Sequence, residues 1–109
     1  MATVVNKSFV ESIVNDPSIL LLDVREADEY EAGFIPSAKN LSVNDIPSSL
    51  ALDKQDFLLK YKFEKPDVNY PILVYCRSGR RSAKAALSLK EAGYLNLKDY
   101  SGGYQDWSS

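Results

Sequence analysis

The sequence lacks histidine altogether and contains a single cysteine, Cys76, among 109 residues. The absence of histidine excludes serine–histidine–aspartate triads, acid–base catalysis by histidine and every metal site that uses a histidine ligand. A lone cysteine cannot form an internal disulfide, a four-cysteine zinc site or a Cys-x-x-Cys redox pair. A disulfide-stapled secreted fold is therefore excluded, and a reducing compartment is expected.

Charge and hydropathy exclude two further classes of protein. The formal net charge is −2, from 13 basic and 15 acidic residues, which is too balanced for binding nucleic acid through bulk charge. No apolar run approaches the ~20 residues needed to cross a bilayer, and no signal peptide is visible, so we expect no membrane partner. The cytoplasm and the mitochondrion both fit, because a cleaved presequence leaves no trace. The length predicts a single domain over residues 1–109.

Segments typical of strands and helices alternate along the chain. Short apolar or β-prone runs predict strands at 19–24, 38–41, 72–75 and 95–100. Helix signals predict helices at 8–14 (from a Ser8/Glu11 capping box), at 26–32, after Asp53 and from Ser82 to Gly93. The Gly102-Gly103 pair predicts a turn, which a single helical turn at 104–107 follows. This alternation predicts an α/β fold with a mostly parallel central sheet and helices on both faces.

The segment Cys76-Arg77-Ser78-Gly79-Arg80-Arg81-Ser82 follows a predicted buried strand and leads into a predicted helix. Ligands of parallel α/β sheets bind at the carboxyl ends of strands, where loop N–H groups and a helix N-terminus attract anions. Gly79 allows the backbone to curl, and three arginines favour the thiolate form of the cysteine. The loop therefore predicts a nucleophilic thiolate at Cys76 and an anionic substrate.

The same segment resembles the active-site loop of rhodanese domains, the thiosulfate sulfurtransferases. Further resemblance to the family's signatures lies in Leu22-Asp23-Val24-Arg25-Glu26, in Glu29-Tyr30, in residues 33–41 and in Tyr100-Ser101-Gly102-Gly103-Tyr104-Gln105-Asp106-Trp107. Residues 50–66 resemble small single-domain members, including thiosulfate:glutathione sulfurtransferases. Phe34 and Ser37 depart from the histidine and glycine that are frequent in the family, within a scaffold turn. Asp23 and Arg25 are expected to anchor the scaffold by charge-assisted hydrogen bonds.

The resemblance implies a two-step sulfur transfer through a Cys76 persulfide, without a metal or another cofactor. Thiosulfate is the implied donor, favoured over mercaptopyruvate by Arg77, and glutathione, cyanide or a thioredoxin-like protein is the implied acceptor. A monomer is expected. The residues implied to bind the substrate are Arg77, Ser78, Gly79, Arg80, Arg81 and Ser82.

Two other functions use related architectures. A persulfide relay or a rhodanese-like binding module would share the fold, but inactive binding modules usually lack the cysteine that this chain has. Cysteine phosphatases and arsenate reductases use Cys-x₅-Arg, whereas here Ser82 occupies the sixth position after Cys76 and Arg81 comes one position early. The tighter loop favours sulfur chemistry over phosphate chemistry.

Overall fold

A five-stranded, entirely parallel sheet forms the centre of the computed structural model, which describes residues 2–109. The strands are β1 (Thr3–Val5), β2 (Leu20–Asp23), β3 (Lys39–Asn40), β4 (Ile72–Tyr75) and β5 (Leu97–Tyr100). They lie in the order β1-β5-β4-β2-β3, and each neighbouring pair is parallel. The predicted α/β fold is confirmed, and β4, which leads to Cys76, lies at the centre of the sheet.

Six α-helices and a short 3-10 helix (Val43–Asp45) are found in residues 2–109. The α-helices are α1 (Lys7–Ile13), α2 (Ala27–Ala32), α3 (Ile46–Leu50), α4 (Lys54–Tyr61), α5 (Arg80–Glu91) and α6 (Gly103–Trp107). The sequence patterns gave no signal for α3 or for the edge strand β1. No helix in this part of the chain has the length and apolar character required to cross a bilayer.

Two predicted helix starts are wrong. Helix α1 is capped by Asn6, whose side chain accepts a hydrogen bond from the Phe9 N–H at 3.0 Å, and not by Ser8. Helix α5 begins at Arg80 instead of Ser82, because Gly79 at φ +104° turns the chain into the helix two residues earlier. The expected cap Asp53 is confirmed, since its carboxylate accepts from the N–H of Asp56 at 2.8 Å.

The core consists of two apolar clusters, one on each face of the sheet. Successive residues of β2 and β4 point to opposite faces, so Leu22 and Val74 join one cluster and Leu21 and Leu73 join the other. Burial on both faces explains why these strands are continuous apolar runs. Cys76 continues the alternation beyond β4 and belongs to the cluster under α5.

A buried ionic network fixes the carboxyl ends of β2 and β4. The Arg25 guanidinium donates to the Asp23 carboxylate at 2.7 Å and to the Gly33 carbonyl at 2.6 Å. The Tyr75 hydroxyl donates to the same carboxylate at 2.7 Å, and burial together with the nearby charge of Asp23 raises the pKa of Tyr75. Asp23 and Arg25 are almost fully buried, which confirms their expected role as anchors.

Candidate active site

Cys76 lies in the turn that connects β4 to α5. Its Sγ accepts a hydrogen bond from the Gly79 N–H at 3.1 Å, so the loop curls back over the sulfur. Gly79 adopts φ +104°, and a Cβ atom there would lie 2.7 Å from the Ser101 carbonyl oxygen. Only glycine fits this position without displacing the backbone of Ser101.

The loop favours the thiolate form of Cys76. Cys76 is 1% exposed, and this burial raises the pKa of its thiol. Hydrogen bonds from the N–H and hydroxyl of Ser82 and from the N–H groups of Gly79 and Ser78 outweigh the burial, so the pKa lies below its ordinary value. The Ser82 hydroxyl also donates to the Gly79 carbonyl at 3.1 Å, so this carbonyl competes with the Cys76 sulfur for the one proton of the hydroxyl.

The arginines of the loop are placed in two different environments. Arg77 and Arg80 are exposed beside Cys76, together with Ser78. Arg81 instead donates two hydrogen bonds to the Glu29 carboxylate on α2, at 2.6 and 3.0 Å. This bidentate pair lowers the pKa of Glu29 to about 2 and ties the first turn of α5 to α2. Glu29 belongs to the stretch that resembles the family's signature, but nothing in the sequence indicated that it pairs with Arg81, 52 positions away.

Helix α6 is hydrogen-bonded to the backbone of the Cys76 loop. The N–H of Tyr104 donates to the Cys76 carbonyl at 2.8 Å, and the N–H of Gln105 donates to the Arg77 carbonyl at 3.1 Å. Gly103 sits at φ +65°, and a Cβ atom there would come within 2.5 Å of both carbonyl oxygens. The Gly102-Gly103 pair was expected to form only a turn, whereas Gly103 permits the close contact between α6 and the loop.

A buried carboxyl group, also missed by the sequence patterns, lies beside Ser82. Asp99 of β5 is 7% exposed, and its Oδ1 has no hydrogen-bond partner among the described residues. Burial raises the pKa of Asp99, and the nearby hydroxyl of Ser82 opposes this only in part. Residues 2–109 contain no cluster of three or more His, Cys, Asp or Glu side chains able to hold a metal ion.

Known proteins share both the sequence pattern and the fold. The family described as "Rhodanese-like domain" matches residues 6–109. A thiosulfate:glutathione sulfurtransferase of Saccharomyces cerevisiae is 36% identical over 95 residues, which cover 87% of this chain and 68% of that protein. The mitochondrial thiosulfate sulfurtransferase RDL2 of the same yeast is 31% identical over 100 residues, covering 90% and 67% of the two chains. The structure of the human single-domain sulfurtransferase TSTD1 matches with a TM-score of 0.92 at 29% identity, covering 99% of this chain and 96% of that one.

These similarities confirm three predictions made from the sequence: the family, the fold, and an enzyme that transfers sulfur. The named relatives are sulfurtransferases and not phosphatases or arsenate reductases. The match of 6–109 includes the Cys76 loop and the α6 segment that holds it. The chain therefore belongs to the rhodanese-like domain family.

Proposed function

We propose that this chain moves the outer sulfur atom of thiosulfate to a thiol acceptor through a persulfide on Cys76. One observation carries the proposal: the only cysteine of the chain lies in a loop whose hydrogen-bond donors lower its thiol pKa. A thiolate is a soft nucleophile that suits attack on sulfur. Relatives named thiosulfate sulfurtransferase support the choice of donor.

The reaction has two balanced displacements. In the first, the Cys76 thiolate attacks the outer sulfur of thiosulfate, a new S–S bond forms, and the old S–S bond breaks with its electron pair leaving on sulfite. In the second, an acceptor thiolate attacks the outer sulfur of the persulfide, and the Cys76 thiolate leaves with the electron pair. Neither step needs an external oxidant or reductant, because each attacking thiolate supplies an electron pair and the leaving group, sulfite in the first step and the Cys76 thiolate in the second, takes one away.

The loop contributes to both displacements by electrostatics. N–H groups that stabilise the thiolate, including that of Gly79 at 3.1 Å, are oriented before the reaction and also serve an anionic persulfide. Arg77 and Arg80 are exposed and free to attract the thiosulfate dianion. We assign Arg81 to holding the loop through Glu29, since its guanidinium is already engaged in a bidentate pair.

The acceptor is proposed to be glutathione, as the names of two relatives indicate for those proteins. A thioredoxin-like protein is the alternative acceptor. A relative named as mitochondrial supports a mitochondrial location. A monomer is supported because the chain's own helices cover both faces of the sheet.

The persulfide is tested by mass spectrometry of the intact protein. After incubation with thiosulfate and removal of small molecules, the wild-type chain should be heavier by one sulfur atom, and dithiothreitol should remove this mass. Cys76→Ser should show neither the added mass nor turnover. The matched control Ser88→Ala, on the far part of α5, should retain both. Turnover by Cys76→Ser at the wild-type rate would overturn the proposal.

The choice of donor is tested at Arg77. One charge-assisted hydrogen bond is worth ~1.5–3 kcal/mol, which corresponds to roughly 10- to 150-fold in rate. Arg77→Gly should lower kcat/KM for thiosulfate by about that factor and leave turnover of mercaptopyruvate unchanged or raised. Equal losses with both donors would show that Arg77 maintains the loop and does not select the donor.

A further inference from the structure

A cavity of about 370 Å³ opens beside the Cys76 loop, between α2 and α6. Glu29 and Gly33 form its wall at α2, and Arg77 borders it from the loop. Its third wall is formed by Tyr104, Gln105 and Ser108 of the α6 segment. We call it the α2–α6 pocket. Its volume lies in the range of pockets that bind small molecules and would hold about twelve water molecules, far more than thiosulfate requires.

One wall of the pocket is hydrogen-bonded to the backbone of the Cys76 loop. The two hydrogen bonds from α6 to the carbonyls of Cys76 and Arg77, at 2.8 and 3.1 Å, come from Tyr104 and Gln105, which line the pocket. The absence of a Cβ at Gly103 keeps this wall against the loop. A molecule in the pocket therefore lies against the residue that follows Cys76, on a wall that is hydrogen-bonded to the backbone of the Cys76 loop.

The charges that line the pocket favour an anionic occupant. The negative charge of Glu29 is balanced by its ion pair with Arg81. The positive charge of Arg25, which lies against the ring of Tyr104, is balanced by its ion pair with Asp23. Arg77 forms no ion pair with any carboxylate in the part of the chain that the structure describes. The uncompensated charge at the pocket is therefore the positive charge of Arg77, which lies next to Cys76 in the chain.

We propose that the α2–α6 pocket binds the sulfur acceptor, and that the acceptor is a small peptide thiol that carries carboxylates. A carboxylate would bind Arg77, polar backbone groups would lie against Gln105 and Ser108, and the thiol would face the Cys76 persulfide. This inference rests on the proposed function. It adds the position of the acceptor and assigns Gln105 and Ser108 as residues that determine acceptor specificity.

The experiment changes the charge of the pocket and uses glutathione as the probe. Gln105→Glu adds a negative charge at the pocket wall, and Gln105→Lys adds a positive one. The matched controls are Gln55→Glu and Gln55→Lys, which make the same changes at an exposed position on α4 away from the pocket. The kcat/KM for the acceptor at saturating thiosulfate reports on the second displacement alone, because the two steps are separated by the persulfide enzyme.

The readout is the ratio of kcat/KM for glutathione to kcat/KM for the uncharged thiol 2-mercaptoethanol. Gln105→Glu should lower this ratio about five- to tenfold, and Gln105→Lys should raise it severalfold, since each added charge acts on the glutathione carboxylates at short range. The Gln55 variants should leave the ratio at the wild-type value. Misfolding would not raise this ratio, so a higher ratio in Gln105→Lys reports on the pocket itself.

Three results would overturn the inference, and they differ from one another. If the Gln105 variants change the ratio no more than the Gln55 variants, the pocket does not bind the acceptor, although the proposed function stands. If kcat/KM for thiosulfate changes by the same factor as that for glutathione, the pocket belongs to the donor. If the wild-type chain forms no persulfide with thiosulfate, the proposed function itself fails, and the inference fails with it.

Discussion

Removal of the Ser82 hydroxyl is the most direct perturbation of the candidate nucleophile. Ser82 is fully buried in the first turn of α5, and its hydroxyl and N–H both lower the pKa of Cys76. Ser82→Ala deletes the hydroxyl alone and retains the N–H. Because the thiolate is stabilised by this donor and the neutral thiol much less so, the pKa of Cys76 should rise in the variant.

The magnitude follows from the shared proton of Ser82. A hydrogen bond to a charged group contributes ~1.5–3 kcal/mol, and the Gly79 carbonyl at 3.1 Å and the Asp99 carboxyl group compete for the same hydroxyl proton, which places the effect at the lower end. One pKa unit corresponds to ~1.36 kcal/mol, so the pKa should rise by about one unit. Activity requires the thiolate and is lost as the pH falls through this pKa, so the acidic limb of the rate profile should move up by the same amount.

The assay is the pH titration of the Cβ resonance of ¹³C-labelled cysteine. The chain has one cysteine, so the spectrum contains one titrating signal and needs no reagent to reach the buried sulfur. Ser88→Ala, farther along the same helix, serves as the control and should titrate as the wild type does. An unchanged or lowered Cys76 pKa in Ser82→Ala would refute the assignment of the hydroxyl as a donor to the thiolate.

Three further predictions concern the scaffold. Glu29→Gln should lower the free energy of unfolding at neutral pH by about 1 kcal/mol, a value reduced by the partial exposure of the pair with Arg81. Since the pKa of Glu29 is lowered to about 2, this difference should persist above the ordinary value of ~4.3 and disappear as the pH falls towards 2; a difference that is independent of pH would contradict it. Tyr75→Phe should cost ~2 kcal/mol in urea unfolding, because the buried carboxylate of Asp23 loses a donor at 2.7 Å, and an unchanged midpoint would show that the bond is dispensable. Lys62→Gly should stabilise the protein by ~0.5–1 kcal/mol in the same assay, because Lys62 ends α4 at φ +68°, and a loss of stability would show that its side chain matters.

Local sequence patterns were sufficient for the parts of the fold that depend on neighbouring residues. The apolar runs of β2 and β4 predicted buried parallel strands, because a strand covered on both faces is apolar at nearly every position. Asp53 predicted the start of α4, since a cap acts on an N–H only three residues away. The Cys76 loop was visible for the same reason: a cysteine, a glycine and three arginines are contiguous in the chain.

Only the tertiary structure decided which partners these residues have. The sequence placed all three loop arginines near an anion, whereas the fold brings Glu29 from 52 positions away and pairs it with Arg81. Likewise, β1 becomes a strand only because it pairs with β5 at the other end of the chain. The sequence predicts Gly103 only as a turn residue. Its close contact with the carbonyls of Cys76 and Arg77 arises because the fold packs α6 onto them. Propensities and caps act within a few residues of the chain, whereas ion pairs, edge strands and close backbone contacts depend on distances in space that folding sets.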